Sequence, residues 1–155
     1  RLSEHMLHIV GDVPERARLE AIVNDIGAND RILFEGRKTQ GEVAEFMRRC
    51  DAFVFPSIRE LGAGVVIEAM ASGLPVIATD TGGTPGIVTD QSTGLPVPAE
   101  DAGALRQALM KLLNNRELAA HLGAQARLEA VRRFSHEVQC QSYEALFDEL
   151  MNYGK

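Results

Sequence analysis

Two carboxylates, Glu60 and Glu68, stand on either side of a small-residue turn, Gly62-Ala63-Gly64, with seven residues between them. An ionised carboxylate only accepts hydrogen bonds, so the pair suits a ligand that presents hydroxyl groups. The turn leads into Val65-Val66-Ile67-Glu68-Ala69-Met70-Ala71, an apolar run that reads as a helix ended by Gly73. The first turn of a helix has free backbone N–H groups and a partial positive charge. Small residues there let a phosphate or a sugar approach the backbone closely. A nucleotide sugar carries both hydroxyls and phosphate. Glu68 lies about four residues into the helix, roughly 6 Å along its axis. A helix apolar nearly all round should be mostly buried, and a carboxylate on it then needs a partner or a water-filled cleft. The plain alternative is that Glu60 and Glu68 are surface residues favoured by the helix dipole.

The elements around this turn must hold it in place. Ala52 to Phe55 reads as a strand stopped by Pro56-Ser57, and Leu74 to Ala78 as another, so the turn belongs to a βαβ unit. Ligands of such units sit at the carboxyl ends of the strands. Two earlier strands are expected at Met6–Val10 and Arg31–Phe34, and a short fifth at Leu95–Val97. A helix is expected over Pro14–Ile26, opened by Asp12 and Pro14 and closed by Gly27, and another over Gly41–Arg49. Three helices finish the chain. Asp101 caps the first, with Ala104, Leu105, Ala108, Leu109 and Leu112 spaced for burial. Residues 115–133 form the second, with Leu118, Leu122, Ala126 and Val131 inward. Ser135 caps the third, 135–152, with Val138, Tyr143, Leu146, Phe147 and Leu150 inward. Strands alternating with helices predict an α/β fold of three layers around a parallel sheet.

Further candidates follow strand ends. Thr81-Gly82-Gly83 comes after the fourth strand, where the amides of Gly82 and Gly83 could form a phosphate nest or simply a turn. Gly11 ends the first strand without a Gly-x-Gly-x-x-Gly pattern. Gly36-Arg37-Lys38 follows the second, and exposed basic residues in a loop are more often solvated than bound. Asp80 could line the same cleft. The four histidines show no metal-ligand spacing, so no metal site is assigned.

With both flanks included, the sequence resembles the retaining glycosyltransferases of GT-B fold known as glycosyl transferases group 1, or family 4. The resemblance rests on Phe55-Pro56-Ser57-Ile58-Arg59-Glu60 and Glu68-Ala69-Met70-Ala71-Ser72-Gly73-Leu74-Pro75-Val76-Ile77. Leu7-His8-Ile9-Val10-Gly11-Asp12, Arg31 to Gly36, Thr81-Gly82-Gly83, Thr93 to Val97 and Phe134-Ser135 extend it along the chain. It implies a Rossmann-like second domain of a GT-B enzyme, binding a nucleoside-diphosphate sugar. Glu68 would take the ribose hydroxyls. Glu60, the catalytic-site carboxylate, would hold the transferred sugar, and the amides of Gly62 to Val65 its oxygens and the diphosphate. Gly36 and Arg37 would lie near the base. No metal or other cofactor is expected. The acceptor, a glycan, lipid or small molecule, would be bound by an N-terminal domain absent here, so this piece should bind donor weakly and transfer no sugar. The full-length hexosyltransferase-type enzyme could sit peripherally on a membrane. Two departures stand out: Leu61-Gly62-Ala63 replaces the commoner Gly-Phe-Gly, and Gly86 stands where a Glu is frequent. If Ala63 needed positive φ, it would be disfavoured. Rival readings are a non-catalytic nucleotide-binding or interaction module, which has no use for Glu60, and a GT-B phosphorylase or epimerase domain.

Composition sets outer bounds. The 155 residues suit one domain with its own core, and a 45% hydrophobic fraction is ordinary for a globular chain. A net charge of −6 without a basic run argues against nucleic acid as the partner. Cys50 and Cys140 are far apart and read as reduced thiols of a cytoplasmic protein. No signal peptide or membrane span is visible, and the abrupt start at Arg1 reads as a cut within a longer enzyme.

Overall fold

A computed structural model describes residues 5–12 and 14–153. The Arg1–Glu4 opening therefore lies outside the described residues. The chain forms two compact units, one ending at Glu45 and one starting at Phe46.

The first unit holds β1 (Leu7–Val10), α1 (Arg16–Asp25) and β2 (Ile32–Gly36). β1 and β2 pair in parallel with His8 opposite Leu33, and the register slips after Ile9 so that Glu35 is bulged out of the ladder. A bulge re-aims a side chain. Here the Glu35 carboxylate meets His8 Nδ1 at 2.9 Å and Lys38 Nζ at 3.4 Å. Lys38 Nζ also donates to the Glu35 carbonyl at 3.0 Å. The His8 hydrogen bond does most to hold the Glu35 carboxyl below its ordinary value of 4.5; partial burial opposes this, and Lys38 adds to the lowering. A carboxylate whose folded pKa is depressed stabilises fully above the unfolded value and loses that contribution as pH falls through the folded one. Urea unfolding followed by circular dichroism should therefore show Glu35→Gln less stable than wild type at neutral pH. The gap should narrow as the pH falls through the lowered pKa of the folded carboxyl; a gap of constant size across that fall would mean that the carboxylate charge is not what stabilises the bulge.

α1 starts later than expected. Its N-cap is Glu15, with no side-chain cap bond, rather than Asp12 or Pro14. α2 (Gln40–Arg49) begins where Glu42 accepts from the Thr39 amide and hydroxyl, a reciprocal capping box.

The second unit is built on β3 (Phe53–Phe55), β4 (Val76–Thr79) and β5 (Gly94–Val97), parallel in the order β3-β4-β5. The expected parallel pairing is present, but the strands fall into this group and the β1-β2 pair rather than one hydrogen-bonded ladder. All four residues of β4 are buried. Successive strand side chains point to opposite faces, so both faces of this sheet are covered. α3 (Gly64–Ala71) packs on β3 and β4, and α4 (Ala102–Leu113) on β4 and β5. Ile77, Leu95 and Val97 form one core cluster with Leu112 of α4 and Leu122 of α5 (Arg116–Phe134). Asp101 and Asn115 cap α4 and α5 through bonds to the amides of Ala104 and Leu118 at 2.8 and 2.9 Å.

Ser135 caps α6 (His136–Asn152) as expected, but the expected inward face of that helix is not covered. Tyr143, Leu146, Phe147 and Leu150 are all exposed, and so is Val131 of α5, where Ala130 is buried instead. Spacing alone identified an apolar stripe; in the structure it stays largely open to solvent. Both cysteines are free. Among the described residues, no helix is long and apolar enough to cross a membrane.

Candidate functional site

The β3–α3 turn is the feature around which the second unit is arranged. Short β3 ends at Phe55, Pro56 stops it, and the loop runs to Ala63 before α3 begins at Gly64. Glu60 is half-buried, and its Oε1 accepts from the Gly62 amide at 2.9 Å. This bond bends the loop back on itself and fixes one carboxylate oxygen. Among the described residues, Oε2 has no hydrogen-bond partner.

Ala63 is the N-cap of α3, with φ −74° and no side-chain bond to the amides that follow. The negative φ removes the difficulty of an alanine in this turn. Ala63 is also 2% exposed, so its methyl is part of the core rather than of the ligand surface. Gly62 and Gly64 are exposed, and a side-chain carbon built on either would meet nothing within 4 Å. The backbone at Gly62 and at Gly64, where α3 begins, is therefore open. Such a surface offers amides and the positive end of the helix dipole to an anion. Val65 is half-buried at the start of the helix, and Glu68 is half-buried one turn further on. Val66, Ala69 and Met70 take the buried face, so Glu68 does not share the fully buried environment that an all-round apolar helix predicts.

The turn after β4 meets this loop. The hydroxyls of Thr79 and Thr81 both donate to the Ser57 carbonyl, Thr81 at 3.1 Å. Gly82 has φ +55°, and a methyl group there would overlap the Glu60 carbonyl oxygen and lie 2.7 Å from its carbon. Gly83 faces Leu61 and Gly62 at ordinary contact distance. Asp80 is exposed just beyond β4, and its amide donates to the Val97 carbonyl at 2.8 Å. A 3-10 turn, Thr84–Gly86, follows Gly82 and Gly83.

Thus Glu60, Gly62 to Val65, Glu68, Gly82 and Gly83 all lie on two adjoining strand-end segments of one unit. Gly11, Gly36 and Arg37 belong to the first unit. There the Gly11 amide donates to the Gly36 carbonyl at 2.9 Å, both glycines have positive φ, and Arg37 is exposed. Lys38, the other basic candidate, is engaged with Glu35. Sequence reasoning missed Thr79, the contact of the Thr81 hydroxyl with Ser57 and the His8–Glu35–Lys38 cluster. It also missed the outward aim of Ile58 and Leu61, of which Leu61 is fully exposed beside Glu60. Threonines closing a buried strand were the available signal for the first of these. A cleft of about 230 Å³ beside the loop is lined by Pro56, Ile58, Thr79, Val97, Glu100 and Leu105, among others. Another of about 290 Å³ lies around Asp80, Thr84 and Asp90. Neither includes Glu60 or Glu68, whose surface is open. Among the described residues, no three His, Cys, Asp or Glu side chains cluster so as to hold a metal ion.

Parallel strands, covering helices and an open helix N-terminus at the strand ends define an α/β unit of the Rossmann-like kind. The chain belongs to the family Glycosyl transferases group 1, whose profile matches residues 1–129. It is similar to an N-acetyl-alpha-D-glucosaminyl L-malate synthase of Bacillus anthracis, 31% identical over 96% of this chain and 39% of that protein. A sucrose-phosphate synthase from Thermosynechococcus elongatus shares the fold with a TM-score of 0.86 and 33% identity, over 94% of this chain and 38% of that one. Anabaena HepE, solved in complex with UDP, superposes with a TM-score of 0.85 at 23% identity, over 94% of this chain and 41% of that one. The chain thus spans about two fifths of the length of these proteins. The α/β fold expected from the sequence is the one these GT-B glycosyltransferases have.

Proposed function

We propose that this chain is the donor-binding part of a glycosyltransferase that uses a nucleoside-diphosphate sugar. The observation that carries the reading is the Glu60 carboxylate, tied by one oxygen to the Gly62 amide and followed at once by the open glycines Gly62 and Gly64 at the start of α3. Glu60 Oε2 accepts from hydroxyls of the sugar to be transferred. The amides of Gly62 to Val65 receive sugar oxygens and the diphosphate. Glu68, one turn along α3, accepts from the ribose hydroxyls. HepE, a protein of the same fold, is known in complex with UDP and with UDP-glucose, which supports a donor of this class.

In such a site the diphosphate leaves as the glycosidic bond breaks, and charge develops on its oxygen. Preoriented amides at a helix N-terminus stabilise that charge without reorganising, which is electrostatic catalysis. We assign no metal to the step; on this chain the helix terminus carries it. The new bond forms on the face that the leaving group occupied, so configuration at the sugar carbon is retained. The acceptor is held by parts of the protein beyond this chain, which is the reason its identity is not written in these residues.

The test is ligand-observed NMR of the full-length protein with UDP, GDP, ADP and their glucose conjugates. Saturation should transfer to one base and its ribose, and Glu68→Ala should weaken that binding at least about tenfold, the worth of hydrogen bonds to a charged acceptor. Binding unchanged in Glu68→Ala would place the nucleotide elsewhere and remove the assignment.

A further inference from the structure

We infer that Thr79, Thr81 and Gly82 are positioning residues for Glu60, acting on the sugar through the loop and not by contact with the donor. The inference rests on the proposed role of Glu60. Its ground is that the loop from Pro56 to Ala63 has little else to place it. Of its large apolar side chains, Leu61 is fully exposed and Ile58 more than half exposed at the edge of the cleft beside the loop. The apolar anchoring that usually settles a loop is therefore slight until Ala63, where the chain re-enters the core.

The turn after β4 replaces that anchoring with three contacts on a short stretch of backbone. Both threonine hydroxyls converge on the Ser57 carbonyl, which uses the two lone pairs of that oxygen. Thr79 is 3% exposed at the end of fully buried β4, so the bond it makes is set by the core. Gly82 then presses its bare Cα against the Glu60 carbonyl itself. Only glycine meets both demands at that position, a positive φ and the space already filled by Glu60. The carboxylate above this backbone has one internal tie, to Gly62. Its direction is therefore inherited from a loop whose depth and tilt the β4 turn determines. A displacement of about 1 Å in a group that positions substrate can cost on the order of a hundredfold in rate.

The experiment uses the full-length protein with UDP-, GDP- and ADP-glucose, keeping the conjugate that wild type binds. Saturation transfer is read separately on the base and ribose protons and on the glucose protons. In Gly82→Ala, and in Thr79→Val combined with Thr81→Val, base and ribose signals should persist while the glucose signals fall at least about fivefold, as expected when only a positioning contact is lost. Thr81→Ser, which keeps the hydroxyl, should behave as wild type. Melting temperatures are compared alongside, and the threonine pair keeps the question open if Gly82→Ala does not fold. Glucose signals at wild-type strength in folded variants would overturn the inference. So would a parallel loss of base and glucose signals, which marks a merely structural role. A wild-type protein that binds none of the conjugates would instead remove the donor-site reading, and this inference with it.

Discussion

Glu60→Gln should slow release of the sugar from its nucleotide about a hundredfold, while affinity for the nucleoside diphosphate stays within about twofold of wild type. The substitution is chosen because glutamine keeps a carbonyl oxygen that can accept from the Gly62 amide, the 2.9 Å bond that shapes the loop. What it loses is the second carboxylate oxygen and the charge. Hydrogen bonds to a charged acceptor contribute about 1.5–3 kcal/mol each, and each 1.36 kcal/mol corresponds to about tenfold in rate, so one or two such bonds to sugar hydroxyls set the scale. The readout is nucleoside diphosphate released from its glucose conjugate by the full-length protein, with affinity for the diphosphate measured by calorimetry. Equal losses in turnover and diphosphate affinity would show Glu60 to be a nucleotide-binding group. No loss in either would favour a nucleotide module that makes no use of a sugar-facing carboxylate.

Gly123→Ala should destabilise the second unit by about 2 kcal/mol, lowering its melting temperature by roughly 5–10 °C. The usual expectation has the opposite sign, because alanine is better than glycine in a helix interior by about 1 kcal/mol. Here the close approach wins. Gly123 is buried in the middle of α5, and a methyl there would overlap the Gly73 carbonyl oxygen and lie 3.3 Å from Pro75 Cδ. Those atoms form the joint between α3 and β4, and backbone atoms cannot swing aside as a side chain can. Arg127, one turn along α5, donates to the Ala71 carbonyl at the same joint. Gly86→Ala is the control: its added methyl meets nothing within 4 Å, so its effect should stay within about 0.5 kcal/mol. Thermal unfolding by circular dichroism compares the two, and equal melting temperatures would mean that α5 can move off the joint at little cost.

How much of this was legible beforehand varies by residue. The strand at Phe53, the break at Pro56-Ser57, the helix from Gly64 and the caps Asp101 and Ser135 all follow from neighbours within one or two turns of chain. Propensity, periodicity and capping are local interactions, so local sequence carries them. The same holds for placing Glu60 and Glu68 at a strand's end and a helix's first turns. The late start of α1 was not legible, because a suitable cap residue at Asp12 did not engage the helix. On α6, spacing identified an apolar stripe, but whether a stripe is covered depends on which surfaces meet it, and spacing is silent about that.

By itself, then, the sequence determined the α/β order of elements, the family and the two carboxylates on either side of the turn, because each is written in residues close together along the chain. Tertiary structure decided the rest. It set the φ of Ala63, turned Gly82 into the seat of the Glu60 carbonyl, joined Thr79 and Thr81 to Ser57 across 22 and 24 positions, and made Gly123 a point of contact with Gly73. Those relations are distances between segments remote in sequence, and they exist only once parallel strands bring their carboxyl ends side by side.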